Sequence, residues 1–185
     1  MKIFLFIILF VSNIQIQGQN TPNILIDKRD GKKYKTIKLG NQIWMSENLA
    51  FKSDSGTWAY ENDVKNVAKY GYLYNWKAAH KVCPAGWHLP SVGEYKFLLT
   101  FIGKKDTSMY NSLIEGGDSG FSAVLSGFRY YLGKFSDQDQ STYFWTTSLY
   151  SYETAWVLLF MGNSSNAGIS YDYQFAGFSV RCRKN

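Results

Sequence analysis

Few side chains in this sequence have the chemistry of a catalytic or metal-binding residue. His80 and His88 are the only histidines, and Cys83 and Cys182 are the only cysteines. Two histidines without nearby thiols do not provide the four ligands of a structural zinc site. The sequence also lacks a P-loop and a glycine-rich dinucleotide turn. We therefore predict no metal and no cofactor, and we interpret His88 as a hydrogen-bonded structural residue.

Two short motifs are similar to parts of a serine-protease catalytic site. Gly117-Asp118-Ser119-Gly120 is like the segment around a nucleophilic serine, and Ala78-Ala79-His80 is like the segment around its general base. His80 and Ser119 lie only 119 − 80 = 39 positions apart. That distance is too short for the barrel strands that bring such groups together and supply the acid. We interpret the serine motif as a polar turn entering a strand.

Four aspartates in loop-rich segments offer the hard oxygen ligands that calcium prefers. They are Asp118, Asp137, Asp139 and Asp172. None of them has the spacing of an EF-hand loop. We therefore interpret these four aspartates as solvated acidic residues of loops.

Exposed aromatic side chains are the remaining candidates for a function. Six tyrosines lie in or beside Gly-, Ser- and Asn-rich turns of the C-terminal half: Tyr130, Tyr131, Tyr150, Tyr152, Tyr171 and Tyr173. Such tyrosines can stack on sugar rings or anchor a protein partner with little loss of entropy. The alternative is that most of them pack on a sheet, as we expect of the core residues Trp87, Trp145 and Trp156.

Two helices are predicted around the first cysteine. Residues 72–82 favour a short helix that ends before Pro84, which has no backbone N–H and disfavours a helical residue before it. After a short extended run, Ser91 and Glu94 have the spacing of a capping box. Four apolar residues then follow at helical spacing: Tyr95, Leu98, Leu99 and Ile102.

Strands are predicted on both sides of these helices. Residues 33–39 and 42–45 form a hairpin around Gly40-Asn41, whereas 46–69 and 104–120 are predicted to be irregular. Five further strands are predicted at 121–131, 143–148, 154–161, 168–173 and 178–183. The pattern indicates one α+β domain.

The N-terminus has the pattern of a secretory signal peptide. A basic start is followed by an apolar run over residues 3–11 and a polar tail that ends at Gly18. The run is too short for a permanent membrane span. The alternative to a signal peptide is that the run forms a buried strand. We predict a signal peptide over 1–18, a linker over 19–26 and one domain over 27–185, with no membrane span in the mature chain.

Export makes a disulfide between the two cysteines the default expectation, with two free thiols as the alternative. The formal charge is +6 at pH 7, and lysines are frequent between residues 28 and 38. Such a strand face could meet an anionic glycan or a nucleic acid. A solvated sheet face or a charged edge strand is the more common explanation, so no nucleic-acid partner is predicted.

The order of several motifs resembles the Fibrobacter succinogenes major paralogous domain (FISUMP) family. The similar segments are Asp30-Gly31, 34–49, 71–76, 83–91 with Glu94, 119–123, 127–129, 145–148, 155–156 and 177–182. They cover about residues 27–184. The resemblance implies a bacterial exported or surface protein of poorly defined activity.

The element order also resembles the C-type lectin-like fold. In that fold the first helix is disulfide-linked to the last strand, which implies a bond between Cys83 and Cys182. The calcium-dependent sugar motifs of C-type lectins are missing, since Trp145 is followed by Thr146-Thr147 and the Glu-Pro-Asn and Gln-Pro-Asp loops do not occur. Formylglycine-generating enzymes share this type of fold but need a close pair of reactive cysteines. If Cys83 and Cys182 bond each other, the chain has no reactive cysteine pair left for that activity.

We therefore predict a C-type lectin-like single domain, with two helices packed on twisted, mostly antiparallel sheets with long loops. The expected function is a secreted or cell-surface, non-enzymatic binding module for a glycan or a surface protein, with an unknown oligomeric state. A structural component of the cell envelope or matrix is the alternative. An enzyme of the formylglycine-generating type is the third possibility.

Overall fold

The computed structural model describes residues 23–103 and 108–185. The predicted signal peptide lies outside them. The strands of the described residues are β1 (Asn23–Ile26), β2 (Lys33–Leu39), β3 (Gln42–Met45), β4 (Thr57–Trp58), β5 (Leu73–Tyr74), β6 (Trp87–His88), β7 (Ser126–Arg129), β8 (Phe135–Gln138), β9 (Ser141–Leu149), β10 (Thr154–Met161), β11 (Asn166–Tyr173) and β12 (Arg183–Lys184). The α-helices are α1 (Val67–Tyr70), α2 (Trp76–Ala79), α3 (Val92–Gly103) and α4 (Met109–Leu113). Short 3-10 helices lie at Tyr60–Asn62, Val64–Asn66 and Gly162–Ser164.

Two five-stranded sheets form most of the domain. The first has the strand order β1-β2-β3-β12-β6, and the second has the order β11-β10-β9-β7-β8. Strands β4 and β5 form a separate pair. Strand pairing is antiparallel except between β7 and β9. The prediction of a small α+β domain is confirmed, and no helix in the described part of the chain has the length and apolar character needed to cross a membrane.

The second sheet has an apolar core on each face, because side chains alternate along its strands. Ala155 and Val157 of β10 belong to the core that contains Cys182. Leu158 and Phe160 of the same strand belong to the core beneath α3 and α4. The sheet is therefore covered on both sides over most of its length, and its exposed aromatic residues are found near the strand ends.

The predicted disulfide is present. Cys83 and Cys182 are bonded with an S–S distance of 2.08 Å, and no free cysteine occurs. Cys83 precedes β6 and Cys182 precedes β12, and these two strands are neighbours in the first sheet. The bond thus fixes the last strand beside a segment 99 positions earlier in the chain.

The predicted capping box is also present at the start of α3. The Glu94 carboxylate accepts from the Ser91 backbone N–H at 2.6 Å, and the Glu94 N–H donates to Ser91 Oγ at 3.3 Å. His88 Nε2 contacts Glu94 Oε1 at 2.9 Å, and Arg183 Nη1 donates to the same oxygen at 2.5 Å. His88 is therefore a hydrogen-bonded structural residue, as predicted, and Glu94 joins α3 to two strands of the first sheet.

Glu94→Gln is expected to lower the free energy of unfolding by about 1–2 kcal/mol at pH 7, because it weakens a helix cap and a charged hydrogen-bond network. Burial opposes ionisation of Glu94, but hydrogen bonds from Ser91 and His88 outweigh it and lower its pKa below 4.5. A lowered folded-state pKa gives stability that is present above pH 4.5 and is lost as pH falls through the folded-state value. Urea unfolding between pH 7 and pH 3 should therefore show that the free energies of unfolding of the wild type and of Glu94→Gln converge at acid pH.

Exposed Glu153 provides the control for this measurement. Glu153→Gln should unfold like the wild type at every pH. If the free energy of unfolding of Glu94→Gln stayed below that of the wild type by a constant amount down to pH 3, the lowered pKa of Glu94 would be contradicted.

The helix predicted over 72–82 is wrong in its first part. Leu73–Tyr74 forms β5, and the Tyr74 backbone N–H donates to the Phe178 carbonyl at 2.8 Å. The helix begins only after Asn75, whose side chain accepts from the Ala78 N–H at 2.9 Å. Pairing with distant segments therefore outweighs the local helical spacing.

Four other segments also differ from their predictions. The predicted loop 104–120 contains α4. The strand predicted over 121–131 is limited to an isolated bridge at Ala123 and to β7. The strand predicted over 178–183 is limited to isolated bridges and the start of β12. In 178–183, the backbone divides its hydrogen bonds among several neighbours, since the Val180 carbonyl accepts from Leu49 and the Ser179 carbonyl accepts from Trp145. The segment predicted as a linker, 19–26, includes β1, which pairs with β2 along its whole length.

Candidate functional site

Three of the six predicted tyrosines surround one small cleft of about 170 Å³. Tyr130, Tyr131 and Tyr173 are exposed at its rim. The rings of Tyr131 and Tyr173 lie 5.3 Å apart between centroids at an angle of 52°. We call this site the tyrosine cleft; its lining is Phe128, Tyr130, Tyr131, Asp172, Tyr173, Ala176 and Phe178.

The floor of the tyrosine cleft is apolar and rigidly packed. Phe128, Ala176 and Phe178 are buried. Phe128 lies edge-on to Tyr130 with centroids 4.7 Å apart, and Phe178 stacks on Tyr143 at 4.7 Å and 15°. The rim tyrosines therefore stand on a fixed aromatic base, which reduces the ordering needed when a ligand binds.

Asp172 is the acidic group of the tyrosine cleft. Its Oδ1 accepts from the Tyr173 backbone N–H at 2.7 Å, and no cation of the described residues forms an ion pair with it. Burial raises the pKa of the Asp172 carboxyl. A half-buried carboxylate with unused acceptor capacity can accept hydrogen bonds from hydroxyl groups of a ligand.

Two backbone features bring the rim residues together. The turn after β7 is closed by the Tyr130 N–H donating to the Lys134 carbonyl at 2.7 Å, with Gly133 at φ 99°. Arg129 and Gly177 exchange backbone hydrogen bonds of 2.9 and 2.7 Å. A Cβ at Gly177 would lie 3.0 Å from the Arg129 Cβ, so glycine permits this close approach.

A second group of aromatic residues lies on the α3 face of the sheet. Tyr150 and Tyr171 stack with centroids 3.8 Å apart and an interplanar angle of 8°. Trp156 lies edge-on to both rings, at 4.8 and 6.0 Å. The Lys96 ammonium from α3 lies 5.8 Å from the Trp156 ring centroid. We call Tyr150, Trp156 and Tyr171 the tyrosine stack.

The sixth tyrosine belongs to neither group. Tyr152 is 95% exposed. The six predicted residues therefore form two separate surfaces and one isolated side chain, because the pairing of Trp156 with Tyr171 and the turn after β7 direct them to different places.

Three other residues considered from the sequence have structural contacts. Ser119 is buried and its hydroxyl donates to the Ser112 carbonyl at 2.5 Å. His80 lies edge-on to Trp76 at 4.2 Å, and burial lowers the pKa of its imidazole. Asp139 accepts from Lys69 and Tyr70, and the described residues contain no group of three or more potential metal ligands.

Sequence reasoning missed two features of these surfaces. The sequence predicts Asp172 to be a solvated loop acid, with a calcium ligand as the alternative, although it follows Tyr171 and precedes Tyr173 in the sequence. Trp156 was expected in the core with Trp145; Trp145 is fully buried, but Trp156 is only partly so. The sequence did contain a signal for the position of Trp156, because Ala155 and Val157 lie on one face of β10 and Trp156 lies on the other.

Comparison with protein families gave one match, the Fibrobacter succinogenes major domain, over residues 37–184. Comparisons with curated proteins and with solved structures found no match.

Proposed function

Since this chain belongs to the Fibrobacter succinogenes major domain family, we propose that it is a secreted or cell-surface, non-enzymatic binding module that recognises a glycan at the tyrosine cleft. The single observation that supports the proposal is the arrangement of three exposed tyrosines around an apolar floor and one half-buried carboxylate.

Sugar chemistry is complementary to this arrangement. A pyranose ring has apolar C–H faces that stack on aromatic rings, and Tyr131 and Tyr173 offer two such rings at an angle. Its hydroxyl groups donate hydrogen bonds, and Asp172 accepts them. The cleft is smaller than the roughly 300–1,000 Å³ of ordinary small-molecule sites, so we expect it to hold one sugar unit while the rest of the glycan crosses the rim.

An extracellular location is supported by the Cys83–Cys182 bond, because disulfides persist in oxidising compartments. The bond also leaves no free thiol in the chain. A reaction of the formylglycine-generating type would lack its reactive cysteine pair.

Tyr131→Ala combined with Tyr173→Ala is expected to weaken glycan binding by about tenfold or more, since each aromatic contact contributes about 0.5–1.5 kcal/mol. Asp172→Asn should weaken it several-fold. A glycan array and cell-wall polysaccharides, screened with and without calcium, would identify the ligand, and calorimetry would then compare the variants. Binding should not depend on calcium.

Tyr152→Ala is the matched control, because it removes a tyrosine that is exposed but lies outside the cleft. It should bind like the wild type. Equal losses from Tyr152→Ala and from the cleft variant would contradict the proposal.

One observation favours the structural alternative, an envelope component that contacts copies of itself. Strand β11 is the outer strand of its sheet, is eight residues long and has Asp172 as its only charged residue. Long edge strands with little charge are sites of strand pairing between chains. Failure of the folded protein to bind any glycan, together with concentration-dependent sedimentation, would favour this alternative.

A further inference from the structure

A second cavity among the described residues is separate from the tyrosine cleft. It has a volume of about 700 Å³ and shares no lining residue with the cleft. Its walls are formed by residues within 32–35, 46–50 and 64–72, together with Glu115, Ser122 and Val124. We call it the basic groove.

Lysines outnumber carboxylates in the basic groove. Four lysines line it, namely Lys32, Lys33, Lys35 and Lys69, against Glu47 and Glu115. Lys32 and Lys69 have carboxylate partners at 3.4 and 3.3 Å. Within residues 23–103 and 108–185, no carboxylate lies at ion-pair distance from the ammonium groups of Lys33 and Lys35.

A buried arginine adds positive charge behind the floor. Arg181 is fully buried, and its guanidinium donates to Asn48 Oδ1 at 3.0 Å and to the Ser122 carbonyl at 2.5 Å. Asn48 and Ser122 both line the groove. Burial lowers the pKa of Arg181 to about 9, so it stays protonated at pH 7. It forms no ion pair with a described carboxylate, and low-dielectric surroundings screen its charge less than water would.

Protection of a sheet edge does not explain Lys33 and Lys35. Lysines are common on edge strands, where they discourage pairing between chains. However, β2 lies inside its sheet, between β1 and β3. Of the two common explanations, the charged edge is therefore wrong for these residues, whereas a solvated sheet face is consistent with their exposure. The two side chains share one face of β2 and line a concave surface.

We propose that the basic groove binds an acidic oligosaccharide segment, with Lys33 and Lys35 contacting the carboxylate or sulfate groups of its sugars. The volume lies in the range of small-molecule sites and suits a few sugar units. The two glutamates in the wall would repel a densely charged nucleic acid. They can accept hydrogen bonds from the hydroxyl groups of a sugar that carries about one charge per ring.

The test uses titration calorimetry at low salt with a galacturonate trimer, a sulfated galactan trimer and a neutral maltotriose. We expect the acidic trimers to bind and maltotriose to bind at least tenfold more weakly at this groove. The two acidic probes distinguish a carboxylate from a sulfate ligand. Lys33→Gln combined with Lys35→Gln should weaken acidic binding by about tenfold or more.

Lys28→Gln combined with Lys38→Gln is the matched control, since it removes the same charge from two exposed lysines outside the groove. It should change the affinity less than twofold. Equal losses in the two double variants would overturn the proposal, because net charge alone would then explain binding. Failure of both acidic trimers to bind would overturn it as well.

Two further measurements separate the possible outcomes. The variant with Tyr131→Ala and Tyr173→Ala should retain binding of the acidic trimers, so that failure of one site is distinguishable from failure of the other. A single-stranded DNA dodecamer should bind more weakly than the acidic trimers. The assignment to a sugar would be overturned if the DNA bound more tightly than the acidic trimers and if Lys33→Gln combined with Lys35→Gln weakened DNA binding by the same factor.

Discussion

Replacing both Cys83 and Cys182 by alanine is expected to lower the free energy of unfolding by about 2–5 kcal/mol. The bond closes a loop of 99 positions, and closing about 100 residues removes roughly 4.7 kcal/mol of chain entropy from the unfolded state at 25 °C. Cys182 is also fully buried in an apolar core, so its truncation leaves a small cavity. Urea unfolding of the oxidised protein and the variant measures the difference.

The wild type with its disulfide reduced is the natural control. It should lose nearly as much stability as the double variant, because it loses the same cross-link while retaining both side chains. Cys83→Ala alone should also show most of the effect. Equal unfolding midpoints for oxidised and reduced wild type would contradict the prediction.

Local signals in the sequence predicted the elements that depend on local contacts. The box formed by Ser91 and Glu94 places the start of α3 correctly, and Tyr95, Leu98 and Ile102 are its buried residues. The hairpin around Gly40-Asn41 has the register that its two-residue turn requires, with Leu39 paired to Gln42. These contacts span only a few positions, so neighbouring residue types are sufficient to specify them.

Contacts between distant segments account for the errors. Tyr74 has apolar neighbours at helical spacing but exchanges backbone hydrogen bonds with Phe178, which no local pattern indicates. The division of the tyrosines into a cleft and a stack depends on the register of β10 with β11 and on the turn after β7. The basic groove is even harder to predict from the sequence, because its lysines and Arg181 come close to one another only in the folded chain.

A buried polar network lies beneath the basic groove and connects it to the second sheet. Asn48 Nδ2 donates to the Tyr70 carbonyl at 2.9 Å and to Ser179 Oγ at 3.3 Å. Ser179 in turn contacts Ser126 Oγ at 2.8 Å. Because buried polar groups are costly when they lose a partner, a change at one member is expected to affect both the groove and the sheet.

Arg181→Met is therefore expected to lower the free energy of unfolding by about 3 kcal/mol or more. Arg181 donates to Asn48 Oδ1 and to the carbonyls of Phe121 and Ser122, and its guanidinium lies 4.6 Å from the Phe121 ring centroid. Methionine approximates the length of the side chain but donates no hydrogen bond. Three acceptors lose their donor in this variant, and each buried acceptor left unpaired costs about 1–3 kcal/mol.

Arg183→Met is the matched control, because it makes the same replacement two positions away. Arg183 is partly exposed and donates to Glu94, which keeps its hydrogen bonds from Ser91 when the arginine is removed. We expect a loss of about 1 kcal/mol for this variant, and calorimetric melting of both proteins measures the difference. A loss at Arg181 no larger than the loss at Arg183 would mean that water replaces the guanidinium as the donor to these acceptors. The floor of the basic groove would then be open to solvent, and the positive charge of Arg181 would contribute little to anion binding there.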